Sequence, residues 1–116
     1  MAEKSEIFTV TTPVPGVKTA TLYENVWSEH IEPFHPEMVG QQKSVARTLQ
    51  NPTFVCAGDS DERLMFVSHT EVATNGKPAV VIVSTTSDAG KPIVITAFGG
   101  RAKHLDKDNF EIKWPL

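Results

Sequence analysis

The stretch HIEPFHPEM, residues 30–38, holds two of the four histidines of the chain together with two glutamates. His30 and His35 lie five positions apart, and Glu37 follows the second histidine closely. Histidine suits acid–base catalysis because its ordinary pKa is near neutral pH, and it is also a common metal ligand. The segment therefore allows three interpretations: an acid–base pair, part of a metal site, or residues that cap and pack a helix.

The spacing of these residues disfavours a structural zinc site. Such a site needs three or four His, Cys or carboxylate ligands, and two histidines on one helix face commonly stand as His-x3-His. His30 and His35 enclose four residues, one of them Pro33, and Cys56 is the only cysteine. The sequence also contains no glycine-rich phosphate loop of the nucleotide-binding type. We therefore expect no metal and no cofactor.

Composition limits the class of protein. The chain has 116 residues, of which 40% are hydrophobic, enough for one domain with a single core. Its net charge of −3 is not that of a strongly basic nucleic-acid binder. The opening MAEKSEIFTV is not expected to be a signal peptide, and no apolar run approaches the roughly 20 residues that cross a bilayer. With one cysteine and no internal disulfide, we expect a cytoplasmic protein that binds no membrane.

The front half of the chain, from about residue 24 to 50, has helical periodicity. Trp27, Ile31 and Phe34 form the apolar stripe of a short helix that Pro33 should distort or end. A second helix is predicted from Pro36 to about residue 50, where Asn51-Pro52 stops it. Its expected core face consists of Val39, Gln42, Val45, Ala46 and Leu49. A short strand over residues 17–23 is predicted ahead of both helices.

The back half has the composition of strands. Four segments rich in Val, Ile, Phe and Thr have strand length: residues 53–57, 63–69, 79–85 and 92–98. Turn residues connect them at 58–61, 75–78 and 88–90, and loops this short predict antiparallel pairing. We therefore predict one α+β domain over residues 1–116, with helices packed on one face of a four-stranded antiparallel sheet. The other face is expected to be partly open, and a short polar C-terminal tail follows residue 98.

The segments WSEHIEPFHPEM, SVARTLQNPTFV and PIVITAF, the last followed by GGRAKH, occur in that order. Over about residues 20–103 this order resembles the phage and prophage members of the barnase–EndoU–colicin E5/D–RelE group of metal-independent ribonucleases. In those domains a helix bears His-Ile and a following His-Pro-Glu, and the closing strand has Val-x-Thr-Ala. The resemblance implies a toxin-like endoribonuclease that cleaves tRNA or other structured RNA. It also implies an inhibitor protein as a partner.

Cleavage of RNA without a metal needs a base, an acid, and cations or donors that stabilise the charge of the phosphorane. By position in the resemblance, we predict six site residues: catalytic His30, His35, Thr96 and Arg101, and substrate-binding Glu37 and Lys103. Arg101 and Lys103 fall where cations would meet the phosphate. Glu37 would either orient a histidine or serve as the base.

A second class of function stays open, a non-catalytic adaptor that binds a protein partner on the same fold. The acidic composition favours the adaptor, whereas the paired histidines and the two cations favour the nuclease. In a nuclease the predicted residues should converge around one concave pocket. In an adaptor they would be scattered, and exposed apolar residues would mark the partner surface. His69 and His104 are predicted to lie at the surface, and the oligomeric state is left open.

Overall fold

The computed structural model describes residues 5–86 and 91–115, which form a small α+β fold around one mixed sheet. In these residues the sheet has seven strands: β1 (Glu6–Thr11), β2 (Thr19–Tyr23), β3 (Phe54–Ala57), β4 (Arg63–Val72), β5 (Pro78–Ser84), β6 (Ile93–Gly99) and β7 (Ile112–Trp114). Their spatial order is β1-β2-β6-β5-β4-β3-β7. The pair β2–β6 is parallel, and the other neighbours are antiparallel. The turn predicted at residues 88–90 lies outside the described residues.

The helical elements of the described chain are short. Helix α1 (Glu24–Val26) continues directly into a π-helical turn (Trp27–Ile31), and α2 spans Gln42–Gln50. Three 3-10 turns cover Pro36–Met38, Ala102–Leu105 and Lys107–Asn109. None of the helices in the described residues is long and apolar enough to cross a membrane.

The predicted architecture, with helices packed on a four-stranded antiparallel sheet, is wrong. The hairpin β1–β2 extends the sheet on one side, where Thr21 of β2 pairs in parallel with Ile93 of β6. On the other side β7 pairs with β3 and forms the opposite edge. Both additions depend on pairings between segments far apart in the chain, which a local hydrophobic pattern does not reveal.

The helix predicted from Pro36 to residue 50 is interrupted. Gly40 has a φ of +77°, a left-handed conformation that ends the 3-10 turn and separates it from α2. As a result Val39, predicted to face the core, is 52% exposed. The residues of α2 that are buried are Ser44, Val45, Thr48 and Leu49. Phe34 is likewise 72% exposed, because the π-helical turn ends at Ile31 before the predicted stripe reaches it.

Each face of the sheet carries a core of its own, because successive strand residues point to opposite sides. The first core joins the π-helical turn, the first 3-10 turn and α2 to strand residues on one face of the sheet. It includes Trp27, Ile31, Met38, Val45, Leu49, Val55, Phe66, Val81, Val83, Val94 and Ala97. The second core consists of Phe54, Cys56, Met65, Val67 and Val80, with Ile82, Phe98, Phe110 and Ile112 packed against it. Burial raises the pKa of the Cys56 thiol to about 11, which favours a structural role for this cysteine.

The C-terminal segment, residues 101–115, covers part of the second face. Phe110 lies 6.0 Å from Phe54 between ring centroids, and the chain then returns to the sheet as β7. The residues after 98 are therefore not simply the polar tail that was predicted, and they cover part of the face that was predicted to be partly open. Phe110 and Ile112, two of the apolar residues of this segment, supply the cover by packing against the second core.

Candidate functional site

The loop after the π-helical turn fixes the position of His35 and Glu37. The backbone N–H of His35 donates to the carbonyl of Ile31 at 2.7 Å, which turns the chain back at the end of the helix. Pro36 then begins a 3-10 turn whose Met38 is fully buried. The carbonyl of Glu37 accepts hydrogen bonds from the N–H and the hydroxyl of Thr74, at 3.1 and 3.0 Å. The loop is thereby anchored to the β4–β5 connection.

The end of β6 brings the second set of site residues to this loop. The N–H of Gly100 donates to the carbonyl of Pro78 at 2.7 Å, so the chain leaves the sheet close to β5. A Cβ at Gly100 would lie 2.9 Å from both His104 Nδ1 and Val80 Cγ2. Only glycine fits this approach without displacement, and it lets Arg101 and the following 3-10 turn fold back beside the sheet.

These two segments enclose a pocket of about 460 Å³, here called the site pocket. Its lining residues are His35, Glu37, Phe98, Gly99, Arg101, Lys103 and His104. Four of the six predicted site residues, His35, Glu37, Arg101 and Lys103, therefore meet around one concavity.

The two acid–base groups of the site pocket stand side by side. His35 Nδ1 lies 3.9 Å from Glu37 Oε2, and the same oxygen accepts a hydrogen bond from the N–H of Gly99 at 3.0 Å. The His35 ring packs against Phe98 with 5.6 Å between centroids. Both side chains are partly exposed, at 32% for His35 and 18% for Glu37. The carboxylate is thus held at the end of β6, beside the imidazole.

The cations of the site pocket are free to meet a ligand. Arg101 and Lys103 are exposed, and neither makes an ion pair with residues 5–86 or 91–115. By contrast, Arg47 is paired with Glu71 at 2.9 Å. With Glu37 as the only carboxylate in the lining, the site pocket has a local excess of positive charge on an acidic chain.

His104 lines the site pocket, although it was predicted to lie at the surface. It is 4% exposed, between Phe98 and Phe110, and its ring stacks on Phe110 with centroids 5.6 Å apart. Nδ1 accepts a hydrogen bond from the N–H of Arg101 at 2.8 Å, so the ring proton belongs on Nε2. Burial lowers the pKa of His104, and the charge of Lys103 lowers it further. This neutral ring fixes the backbone that carries Arg101.

Little in the sequence indicated that His104 would be buried and would position Arg101. His104 stands in AKHLDKDN, where charged neighbours predict a solvated surface. Its burial depends on Phe98 and Phe110, which follow no strand or helix period with it. His69, also predicted at the surface, is exposed, and its Nε2 lies 3.1 Å from the carbonyl of His104.

Two predicted site residues are not brought to the site pocket. His30 is exposed on the π-helical turn and is not among the lining residues. Thr96 lines a neighbouring cavity that shares Lys103 and His104 with the site pocket. The catalytic roles of His30 and Thr96 stay predictions, but the geometry separates them from His35 and Glu37.

The described part of the chain, residues 5–86 and 91–115, contains no group of three or more His, Cys, Asp or Glu placed to hold a metal ion. No protein-family model matches the chain, and no curated protein and no solved structure matches it.

Proposed function

We propose that the protein is a metal-independent endoribonuclease that cleaves RNA, including tRNA, at the site pocket. One observation carries the proposal: the same concavity is lined by a histidine–carboxylate pair and by two cations that make no ion pair within the described part of the chain. These are the groups that transesterification at a phosphodiester requires. We also propose that the protein is cytoplasmic, where it has access to RNA, and that an inhibitor protein controls its toxin-like activity.

His35 acts as the general base in the proposed reaction. Since His35 and Glu37 lie only 3.9 Å apart, they are too close to flank a phosphorus atom from opposite sides. They work together: His35 takes the proton of the ribose 2′-hydroxyl, and Glu37 stabilises the imidazolium that forms. The 2′-oxygen attacks phosphorus, the bond to the 5′-oxygen breaks, and a 2′,3′-cyclic phosphate remains.

Arg101 and Lys103 serve the phosphate and the leaving group. The Arg101 guanidinium offers paired donors to the non-bridging oxygens, whose charge grows in the phosphorane. The leaving 5′-oxygen takes a proton from the Lys103 ammonium, and exchange with water restores both Lys103 and His35. Phe98, partly exposed beside His35, offers a ring face to an unpaired base.

The test is cleavage of total RNA and of a tRNA pool by purified protein in excess EDTA. We expect cleavage by the wild type and a loss of about 100-fold or more in His35→Ala, the usual contribution of an acid–base group. His30→Ala is the matched control, because it removes an exposed histidine outside the site pocket. Arg101→Ala should also lose activity, whereas Lys43→Ala, exposed on α2, should keep it.

Several results would contradict the proposal. Wild-type protein that leaves both RNA pools intact would reject the activity, and cleavage that EDTA abolishes would reject the mechanism. Activity lost in His30→Ala but kept in His35→Ala would place the reaction outside the site pocket. Circular dichroism of each variant separates a lost group from a lost fold.

A protein-binding module is the second candidate function, and a separate observation favours it. Phe34 and Val39, which flank the 35–38 segment in sequence, are 72% and 52% exposed. Val72 and Leu105 are also exposed and together line a groove of about 290 Å³. A contiguous exposed apolar patch is typical of a partner surface, and Val72 and Leu105 share one groove. Absence of RNA cleavage by the folded wild type would favour this function.

A further inference from the structure

A second cavity, of about 410 Å³, adjoins the site pocket and is here called the side cavity. Lys103 and His104 line both spaces, so the two share a wall. The volume lies near the lower end of the roughly 300–1,000 Å³ typical of small-molecule sites. A ligand group in the side cavity would therefore be within reach of a phosphate held by Lys103.

The side cavity has an apolar floor, formed between the second face of the sheet and the C-terminal segment. Met65, Ile82, Ile95 and Phe110 supply it. The register of β5 and β6 shifts between Ile82 and Val83, which leaves Ile95 as an extra residue in β6. Such a bulge re-aims side chains, and here it lets the consecutive residues Ile95 and Thr96 line the same cavity.

The rim of the side cavity is polar. The Thr96 hydroxyl makes no hydrogen bond with the described part of the chain. Asp59, in the β3–β4 turn, and Arg63, the first residue of β4, form an exposed ion pair at 3.2 Å and also line the cavity. The cavity thus offers apolar contact to the faces of a flat group and both donors and acceptors to its edge.

We infer that the side cavity binds the nucleobase of the nucleotide whose phosphate lies in the site pocket. This inference rests on the proposed function, because the phosphate position comes from Arg101 and Lys103. A nucleobase fits the description on three counts: planar apolar faces, an edge of donors and acceptors, and a covalent link to a phosphate. Asp59 and Arg63 then read the edge of the base, and Thr96 contributes its hydroxyl.

The test compares ligands that contain the nucleobase, the phosphate or both. Nucleoside 3′-monophosphates, nucleosides and inorganic phosphate are titrated into the wild type in EDTA, with isoleucine methyl groups observed by NMR. We expect nucleotides to bind roughly tenfold more tightly than phosphate, a factor that corresponds to about 1.4 kcal/mol. Nucleotides and nucleosides should shift the Ile82 and Ile95 signals, whereas inorganic phosphate should not. The fully buried Ile31, in the first core, is the internal control.

Variants assign the binding to the side cavity. Ile95→Trp fills the space, and Arg63→Gln removes a cation from its rim. Because Arg63 is exposed, we expect Arg63→Gln to keep the fold even where Ile95→Trp does not. Both should weaken nucleotide binding roughly tenfold and leave phosphate binding unchanged. Arg47→Gln is the matched control, because Arg47 is an exposed arginine in an ion pair away from the cavity.

The outcomes separate this inference from the proposed function. Two results would overturn the side cavity as a base site in a protein that cleaves RNA. In the first, the wild type binds nucleotides no more tightly than phosphate. In the second, Ile95→Trp and Arg63→Gln bind nucleotides as tightly as the wild type. Nucleosides that shift Ile95 in a protein without RNA cleavage support the base site and overturn the nuclease. Absence of any nucleotide or nucleoside binding overturns the inference.

Discussion

The Glu37 carboxylate accepts a hydrogen bond from the backbone N–H of Gly99 at 3.0 Å, across 62 positions of the chain. This contact joins the loop that carries His35 to the end of β6. Arg101 and Lys103, the cations of the site pocket, follow directly after this strand end. Glu37 is therefore a structural link as well as a neighbour of His35, and the two roles are separable by substitution.

Replacement of Glu37 should lower the stability of the fold. Because the acceptor is charged and only 18% exposed, Glu37→Ala should reduce the free energy of unfolding by about 2 kcal/mol. Glu37→Gln keeps an acceptor oxygen and should lose less. Urea unfolding followed by tryptophan fluorescence measures both. Glu29→Ala, an exposed glutamate on the π-helical turn, serves as control, and an equal loss there would contradict the argument.

A methyl group at Gly100 should disturb the site pocket more than one at Gly99. At Gly100 the new Cβ would lie 2.9 Å from the buried His104 ring and Val80, and overpacking of this kind costs about 2 kcal/mol. At Gly99 the nearest atom is the Asn75 Oδ1, at 2.7 Å, on an exposed loop that can yield. Thermal unfolding of Gly100→Ala and Gly99→Ala tests this order, and the reverse order would contradict the placement of His104.

Acid should weaken the fold through His104. Because burial lowers its folded-state pKa below the ordinary value of 6.5, the unfolded chain takes up the proton first as the pH falls. The stability contributed by the neutral ring is therefore complete above about pH 6.5 and declines below it, until the folded-state pKa is passed. Protonation also removes the acceptor for the Arg101 N–H.

Urea unfolding between pH 7.5 and 5 measures this effect. His104→Gln retains an acceptor but does not titrate, so its stability should fall less steeply than that of the wild type. His30→Gln is the comparison variant, because it makes the same substitution at an exposed histidine. Equal slopes in the wild type and His104→Gln would show that His104 is not the titrating group.

The stack of Phe110 on His104 should hold the C-terminal segment to the sheet. Phe110→Ala loses the stacking and part of the second core, which we expect to cost about 2 kcal/mol. Residues 101–109 should then become sensitive to limited proteolysis before the rest of the chain. Phe34→Ala is the matched control, since a ring that is 72% exposed contributes little. Equal protease sensitivity in the two variants would argue against this role for the stack.

Local patterns located the strands better than the sheet that they form. The segments predicted at 53–57, 63–69, 79–85 and 92–98 overlap β3 to β6, because β-branched runs between turn residues are visible in sequence. Strand β1 is flanked by no such turn signal on its N-terminal side, and β7 has only three residues. The hairpin β1–β2 joins the sheet through β6, and β7 joins it through β3. Both partners are distant in the chain, so the predicted sheet lacked both edges.

In the candidate site, too, some residues could be predicted from local sequence and others could not. His35 and Glu37 stand in one short segment, and Arg101 and Lys103 in another, so a resemblance between short motifs was enough to select them. His104 could not be selected, because its burial follows from rings at positions 98 and 110. His30 has the same residue type as His35, but the π-helical turn leaves it exposed. Residue type was visible in the sequence, whereas solvent access was not.

The parallel pairing of Thr21 with Ile93 has a consequence for the order in which the molecule forms. The meander of β4, β5 and β6 involves neighbours in the chain, and such contacts close small loops at low entropic cost. The hairpin β1–β2 can pair with the sheet only through β6, which begins some 70 residues after β2 ends. We therefore expect the meander to form first and the hairpin to dock last. During synthesis on the ribosome, the amino-terminal strands would stay without their sheet partner until β6 has emerged.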